Sequence, residues 1–190
     1  MGAFLLSFGV IFVAELGDKS QLMALAFATR YRPSQVLLGI TLATAIVHAG
    51  SVVAGAAFAA ALPTRAIGVA GGIAFLGFAA WTIRGDRLTE EERERARRPA
   101  RSAIVTVGTA FGLAELGDKT MIATITLAAG EEPVGTWLGS TVGMVAADAL
   151  AIVLGRALGT RLPERAVSRF AATSFIVFGV LLMADAVRGG

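Results

Sequence analysis

The 190-residue chain contains no cysteine, which excludes disulfides, thiolate metal ligands and iron–sulfur chemistry. It has one histidine, too few imidazoles for a zinc or copper centre built on several of them. One tyrosine and two tryptophans leave the arginine-rich segments without stacking aromatics, so nucleic acid is not expected as a partner. Charge is sparse, at 16% of residues, and both lysines, Lys19 and Lys119, sit in one repeated phrase. No basic region precedes the first apolar run and no short apolar core ends in a cleavage site, so this run is expected to stay attached rather than act as a signal peptide. Leu6 stands where the myristoylation pattern needs Ser or Thr.

What the chain has in excess is apolar length. With 55% hydrophobic residues and a mean hydropathy of +0.72, it reads as an integral membrane protein. Six stretches reach the roughly 20 residues that a span requires: residues 2–29, 35–61, 66–84, 102–129, 134–158 and 166–187. A soluble helical core would need polar helix faces, and residues 50–62 and 171–184 offer none. The expected fold is all-α, with six transmembrane helices in two inverted three-helix repeats at 1–84 and 102–190, joined by a charged cytoplasmic loop at 85–101.

The arginines orient these spans. Arg30, Arg32, Arg84, Arg87, Arg93, Arg95, Arg97, Arg98, Arg101, Arg156, Arg161 and Arg165 follow the first, third and fifth stretches, against Arg65 and Arg188 on the other side. The positive-inside rule then puts both termini outside the cytoplasm. Asp86–Arg98 reads as a short solvated helix, with Thr89 and Glu92 spaced as a capping box and Pro99 ending it.

The phrase Ala-Glu-Leu-Gly-Asp-Lys occurs at 14–19 and again at 114–119. Other residues recur at the same offset, among them Pro33 and Pro133, Leu38-Gly39 and Leu138-Gly139, Gly55 and Gly155, and Leu62-Pro63 and Leu162-Pro163. Such fixed-period similarity marks a duplicated architecture. Three spans per half is an odd number, so the second half enters the membrane from the opposite side, a plan that secondary transporters share. The loop charges agree, since Arg30 and Arg32 give way to Glu131 and Glu132.

Ionisable residues inside apolar runs are costly and point to ion or proton sites. On a continuous helix, residues three and four apart share a face, so Glu15, Asp18 and Lys19 are expected on one side, and Glu115, Asp118 and Lys119 likewise. Gly17 and Gly117 weaken the helix there and permit either close approach or local unwinding. Ser20 and Thr120 each add a hydroxyl for a hard cation or a loosened carbonyl. The alternative is that Glu15 with Lys19, and Glu115 with Lys119, form closed ion pairs that only glue helices, although buried pairs add little over apolar packing. Gly135, Gly139 and Gly143, like Gly68 and Gly72, read as helix-contact ridges and nothing more.

His48 and Asp148 also correspond at the same offset. Each is either a packing residue or part of a route, with proton transfer favoured over coordination. Four motif carboxylates against two ammoniums leave a deficit that one divalent cation fills, and oxygen donors suit Ca²⁺, Mg²⁺ and Mn²⁺. When the metal leaves, crowded carboxylates take protons, which makes metal and proton competitors. An intramembrane aspartyl protease and an exporter of small cationic organic solutes such as amino acids are the rival readings. The Gly-Asp pairs lack the Gly-x-Gly-Asp context of the first.

Two Glu-x-Gly-Asp-Lys-Ser/Thr motifs, in the first and fourth of six spans and separated by a charged loop, resemble the Gdt-type cation/proton exchangers of Golgi, chloroplast and bacteria. The likeness covers nearly the whole chain. It implies export of Mn²⁺ or Ca²⁺ in exchange for protons, with no enzymatic activity and no cofactor. It also implies that Glu15, Asp18, Glu115 and Asp118 bind the cation while Lys19, Ser20, Lys119 and Thr120 complete the motifs. The short loops are similar to bacterial members, which implies a multi-pass protein of the bacterial inner membrane. One chain carries both halves, so a monomer suffices and a homodimer is compatible. Gln21 against Met121 is where the copies diverge, and Met121 is not expected to be a ligand.

Overall fold

A computed structural model describes residues 1–85, 89–91, 94, 102–158 and 164–188. Among these it contains eight helices: α1 (Gly2–Glu15), α2 (Lys19–Ala28), α3 (Pro33–Ala61), α4 (Thr64–Arg84), α5 (Ala103–Glu115), α6 (Lys119–Gly130), α7 (Pro133–Leu158) and α8 (Glu164–Arg188). Four are long and apolar enough to cross a bilayer: α3, α4, α7 through Arg156, and α8 from Ala166. The chain is an all-α, multi-pass membrane protein, and Ile46 and Val53, each more than 70% exposed, are the kind of side chain that faces lipid. The helix expected over Asp86–Arg98 falls largely outside the described residues, as do Leu162-Pro163.

The stretches 2–29 and 102–129 are not single helices as expected. Each breaks inside the repeated motif, because Leu16 and Leu116 turn extended (ψ 116 and 113) and Gly17 and Gly117 take φ of +76° and +81°. A side chain at that φ meets its own carbonyl, so glycine is the residue that permits the turn. Asp18 and Asp118 then stand as extended N-caps from which α2 and α6 restart. Prolines punctuate elsewhere: Pro33 opens α3, Pro63 caps α4 and Pro133 begins α7.

Packing between the halves is exchange-symmetric. Along α7, Gly135 lies against Ala3, Gly139 against the Phe4 carbonyl, Gly143 against Phe8 and Phe12, and Gly155 against Leu25. Residue numbers rise together, so α7 runs in the same direction as α1 and then α2. Near its end the Arg156 guanidinium donates to the Ala28 carbonyl at 3.0 Å, satisfying the last turn of α2. The counterpart is α3, where Gly39 meets the Ile104 carbonyl and Val107, and Gly55 meets the Ile125 carbonyl and Ala128. Helices α4 and α8 run oppositely, with Gly68 against Ala186 and Gly72 against Met183. There Phe75 packs tilted against Phe175 at 5.9 Å and edge-to-face against Phe178 at 4.8 Å between ring centroids.

These glycines let backbones touch, as the sequence suggested. A methyl group at Gly139 would strike the Phe4 carbonyl, which cannot swing away. Gly139→Ala is therefore expected to cost about 1–3 kcal/mol, read as a lower melting temperature in detergent. Gly9→Ala, with nothing within 4 Å of the added carbon, should cost nothing.

Candidate cation site

The two breaks bring the motifs face to face. Glu15 ends α1 and Glu115 ends α5, while Asp18 and Asp118 cap α2 and α6. All four carboxylates, with Lys119, are at most 2% exposed. The Lys119 ammonium pairs with Asp18 Oδ1, and reciprocally Lys19 Nζ lies 3.6 Å from Asp118 Oδ1. The ion pairs thus run between halves, not along one helix from i to i+4. The expectation that Glu15, Asp18 and Lys19 share a face of one helix fails for the same reason: the backbone turns between them.

Ser20 and Thr120 do not serve carbonyls. The Ser20 hydroxyl donates to Glu15 Oε2 and lies 3.2 Å from Asp18 Oδ2, and the Thr120 hydroxyl donates to Glu115 Oε2 at 2.7 Å. Asp18 also accepts from the Ser20 amide at 3.3 Å. Glu15 Oε1, Glu115 Oε1 and both carboxylate oxygens of Asp118 are buried without a hydrogen-bond partner. Burying oxygens in this state is costly. Like charges press on one another here, Glu15 against Glu115 and Asp18, and Glu115 against Asp118. The cluster therefore has an unmet demand for positive charge.

The acids converge, but they do not form a ready cage. Among the described residues no three acidic or histidine side chains stand in position to hold one metal ion. The ammonium groups of Lys19 and Lys119 lie between the halves instead, against Asp118 and Asp18.

His48 and Asp148 are both fully buried, and neither imidazole nitrogen nor either Asp148 oxygen has a hydrogen-bond partner. Asp148 belongs to the cluster electrostatically, since Glu15, Asp18 and Glu115 all act on it or feel it.

Sequence reasoning saw Gln21 only as a divergence. Its Oε1 accepts from the Gly17 amide at 2.9 Å and its Nε2 donates to the Ala147 carbonyl at 3.1 Å, tying the first break to α7 beside Asp148. Met121 fills the equivalent slot by accepting from the Gly117 amide at 3.2 Å through sulfur. A thioether has no donor with which to reach a carbonyl on α3. The signal was present as an amide at a position otherwise matched, but its partners are far away in sequence.

A family model described as divalent cation/proton antiporter GDT1 matches the chain twice, over residues 3–90 and 103–190. Over 183 residues the chain is 31% identical to a Vibrio cholerae protein named "Putative manganese exporter", covering 95% of this chain and 90% of that one. It is 31% identical to a GDT1-like protein of Synechocystis, covering 94% and 95%. A chloroplastic GDT1-like protein of Oryza sativa is also 31% identical, covering 93% of this chain and 59% of the longer plant protein. No solved structure matches it. Both halves of the chain, motif included, belong to the divalent cation/proton antiporter GDT1 family.

Proposed function

We propose that the chain exports a divalent metal cation from the cytoplasm in exchange for protons, with Mn²⁺ as first substrate and Ca²⁺ as second. Glu15, Asp18, Glu115 and Asp118 bind the cation, and between turnovers Lys19 and Lys119 offset half of the four charges while protons on the acids offset the rest. The reciprocal pairing of Lys119 with Asp18 and Lys19 with Asp118 carries this reading. An arriving M²⁺ displaces both ammoniums and draws the carboxylates together, which an anionic pocket of low dielectric favours. Asp148 adds a fifth carboxylate to the count, and a proton on it restores the balance that one divalent cation would otherwise leave short. An aspartyl-protease dyad would need two aspartates sharing a proton, whereas here each aspartate faces an ammonium. The name of the Vibrio relative favours Mn²⁺. An all-oxygen donor set accepts Mn²⁺ and Ca²⁺ alike.

Six crossings in two inverted repeats accommodate the packing. α1 with α2, and α5 with α6, each act as one broken span, and two parallel pairs with one antiparallel pair fit a two-fold axis in the membrane plane. Arg30, Arg32, Arg84 and Arg156 then share the cytoplasmic face of the inner membrane, with both termini outside. Moving M²⁺ outward against the membrane potential costs about 4.6 kcal/mol per 100 mV, from about 2.3 per charge. Two returning protons cancel that, and a third lets the potential drive export.

Inverted membrane vesicles test direction and substrate together. Added Mn²⁺ should enter the lumen and release protons to the medium, Ca²⁺ should do so less well and Mg²⁺ least. Uptake without proton release would refute exchange, and faster Ca²⁺ than Mn²⁺ would reverse the substrate order.

A further inference from the structure

Helix α7 carries a polar ladder that its counterpart lacks. At steps of four residues stand Glu132, Thr136, Ser140, Met144 and Asp148, and neighbours at that spacing stack along a helix. The equivalent residues at α3 are Arg32, Val36, Ile40, Thr44 and His48. Glu132 is exposed at the start of α7, where it accepts from the Val134 and Gly135 amides at 2.8 Å and 2.6 Å. Thr136 and Ser140 are fully buried. The Ser140 hydroxyl bonds only to its own helix, at the Trp137 carbonyl, and the Thr136 hydroxyl has no partner. Ser7 on α1, also fully buried and unpartnered, falls between the Ser140 and Met144 rungs, since Phe4 meets Gly139 and Phe8 meets Gly143. At the Met144 rung the Thr44 hydroxyl reaches across from α3 to the sulfur at 3.2 Å, so a hydroxyl occupies each level from Glu132 to Asp148.

Buried hydroxyls are normally satisfied by protein or water, and two open ones, Thr136 and Ser7, in line with the buried hydroxyls of Ser140 and Thr44, make a pattern that packing does not need. We propose that this ladder is a proton wire leading from the face where α1 and α7 begin to Asp148 at the cation site. Each hydroxyl takes a proton on its outer side and releases its own on the inner side, with single water molecules across the gaps. The net change is one proton lost by Glu132 and one gained by Asp148. Val36 and Ile40, both fully buried, and the guanidinium of Arg32 give the opposite face no such wire. The inference rests on the exchange reading above, in which the Glu132 face is outside and supplies the protons. Asp148 could then be protonated without the cation pocket opening to that side.

The full chain reconstituted in liposomes with an internal pH dye tests this, with Mn²⁺ as the probe and calorimetric Mn²⁺ binding as the check on folding. The double variant Thr136→Val/Ser140→Ala should bind Mn²⁺ as wild type does yet turn over at least about tenfold more slowly, and Thr136→Ser alone should run at the wild-type rate. Wild-type turnover in the double variant would overturn the wire. So would parallel loss of binding and rate, which marks a packing role. Asp118→Asn measured alongside keeps the readings apart, because retained Mn²⁺ binding there would sink the site assignment and leave the wire to its own result.

Discussion

Asp118→Asn should abolish Mn²⁺-dependent proton movement while leaving the fold intact. Asp118 is the acid of the cluster with most to offer a cation, since both its oxygens are buried without a hydrogen-bond partner and Lys19 stands off at 3.6 Å. Asp18, by contrast, already holds Lys119 and the Ser20 amide. The amide keeps the shape of the side chain at the N-cap position of α6 but removes one of the charges that set affinity for a hard cation. Mn²⁺ affinity should fall by about two orders of magnitude. Transport is read in inverted vesicles and binding in detergent. A variant that carries Mn²⁺ as well as wild type would show that the cation goes elsewhere.

Lys119→Met should be the most destabilising single change in the site. It takes the Lys119 ammonium away from Asp18, which is buried near Glu15, and breaking a buried pair from one side costs about 3–5 kcal/mol. Replacing both partners, as Asp18→Asn/Lys119→Met, removes the uncompensated charge and should return stability to within about 1 kcal/mol of wild type. Transport should stay lost in both. Lys19→Met should cost less, about 1 kcal/mol, because Lys19 is 15% exposed and more distant from its aspartate. Thermal unfolding in detergent distinguishes these outcomes. Equal losses in the single and double variants would mean that Lys119 contributes through packing of its stem rather than through charge.

Much of this could be read from the chain. Hydropathy marked α3, α4, α7 and α8 within a few residues, because a helix in lipid must be apolar on every side and long enough. The duplicated phrase singled out Glu15, Asp18, Glu115 and Asp118, which the fold buries where the two breaks meet, because charge is costly in such runs. What escaped was the consequence of Gly17 and Gly117. Their low helix propensity is visible, but helices also run through glycine, so propensity alone does not say that the backbone turns there. Here Val167 and Ser168 crowd Gly17 while Gly117 has open space, and both break. Once broken, the helical spacing that would pair Glu15 with Lys19 no longer governs, and Lys119 becomes the neighbour of Asp18.

His48 and Asp148 show the same limit. By position they are equivalents, yet Asp148 lies in the field of the acids while His48 follows a series in which only Thr44 bears a hydroxyl, beyond apolar Val36 and Ile40 and the guanidinium of Arg32. Gln21 and Met121 differ by one amide, and only the neighbouring carbonyl of Ala147 gives that amide a task.

Composition and pattern alone determined that this chain crosses a membrane, that it is built twice and that its acids lie where charge is expensive, because those follow from the free energy of each residue against lipid. Which lysine neutralises which aspartate was decided by the fold. Those pairings join residues a hundred positions apart, and only the close approach of the two halves, made possible by glycine contacts along α3 and α7, brings them within a few ångströms.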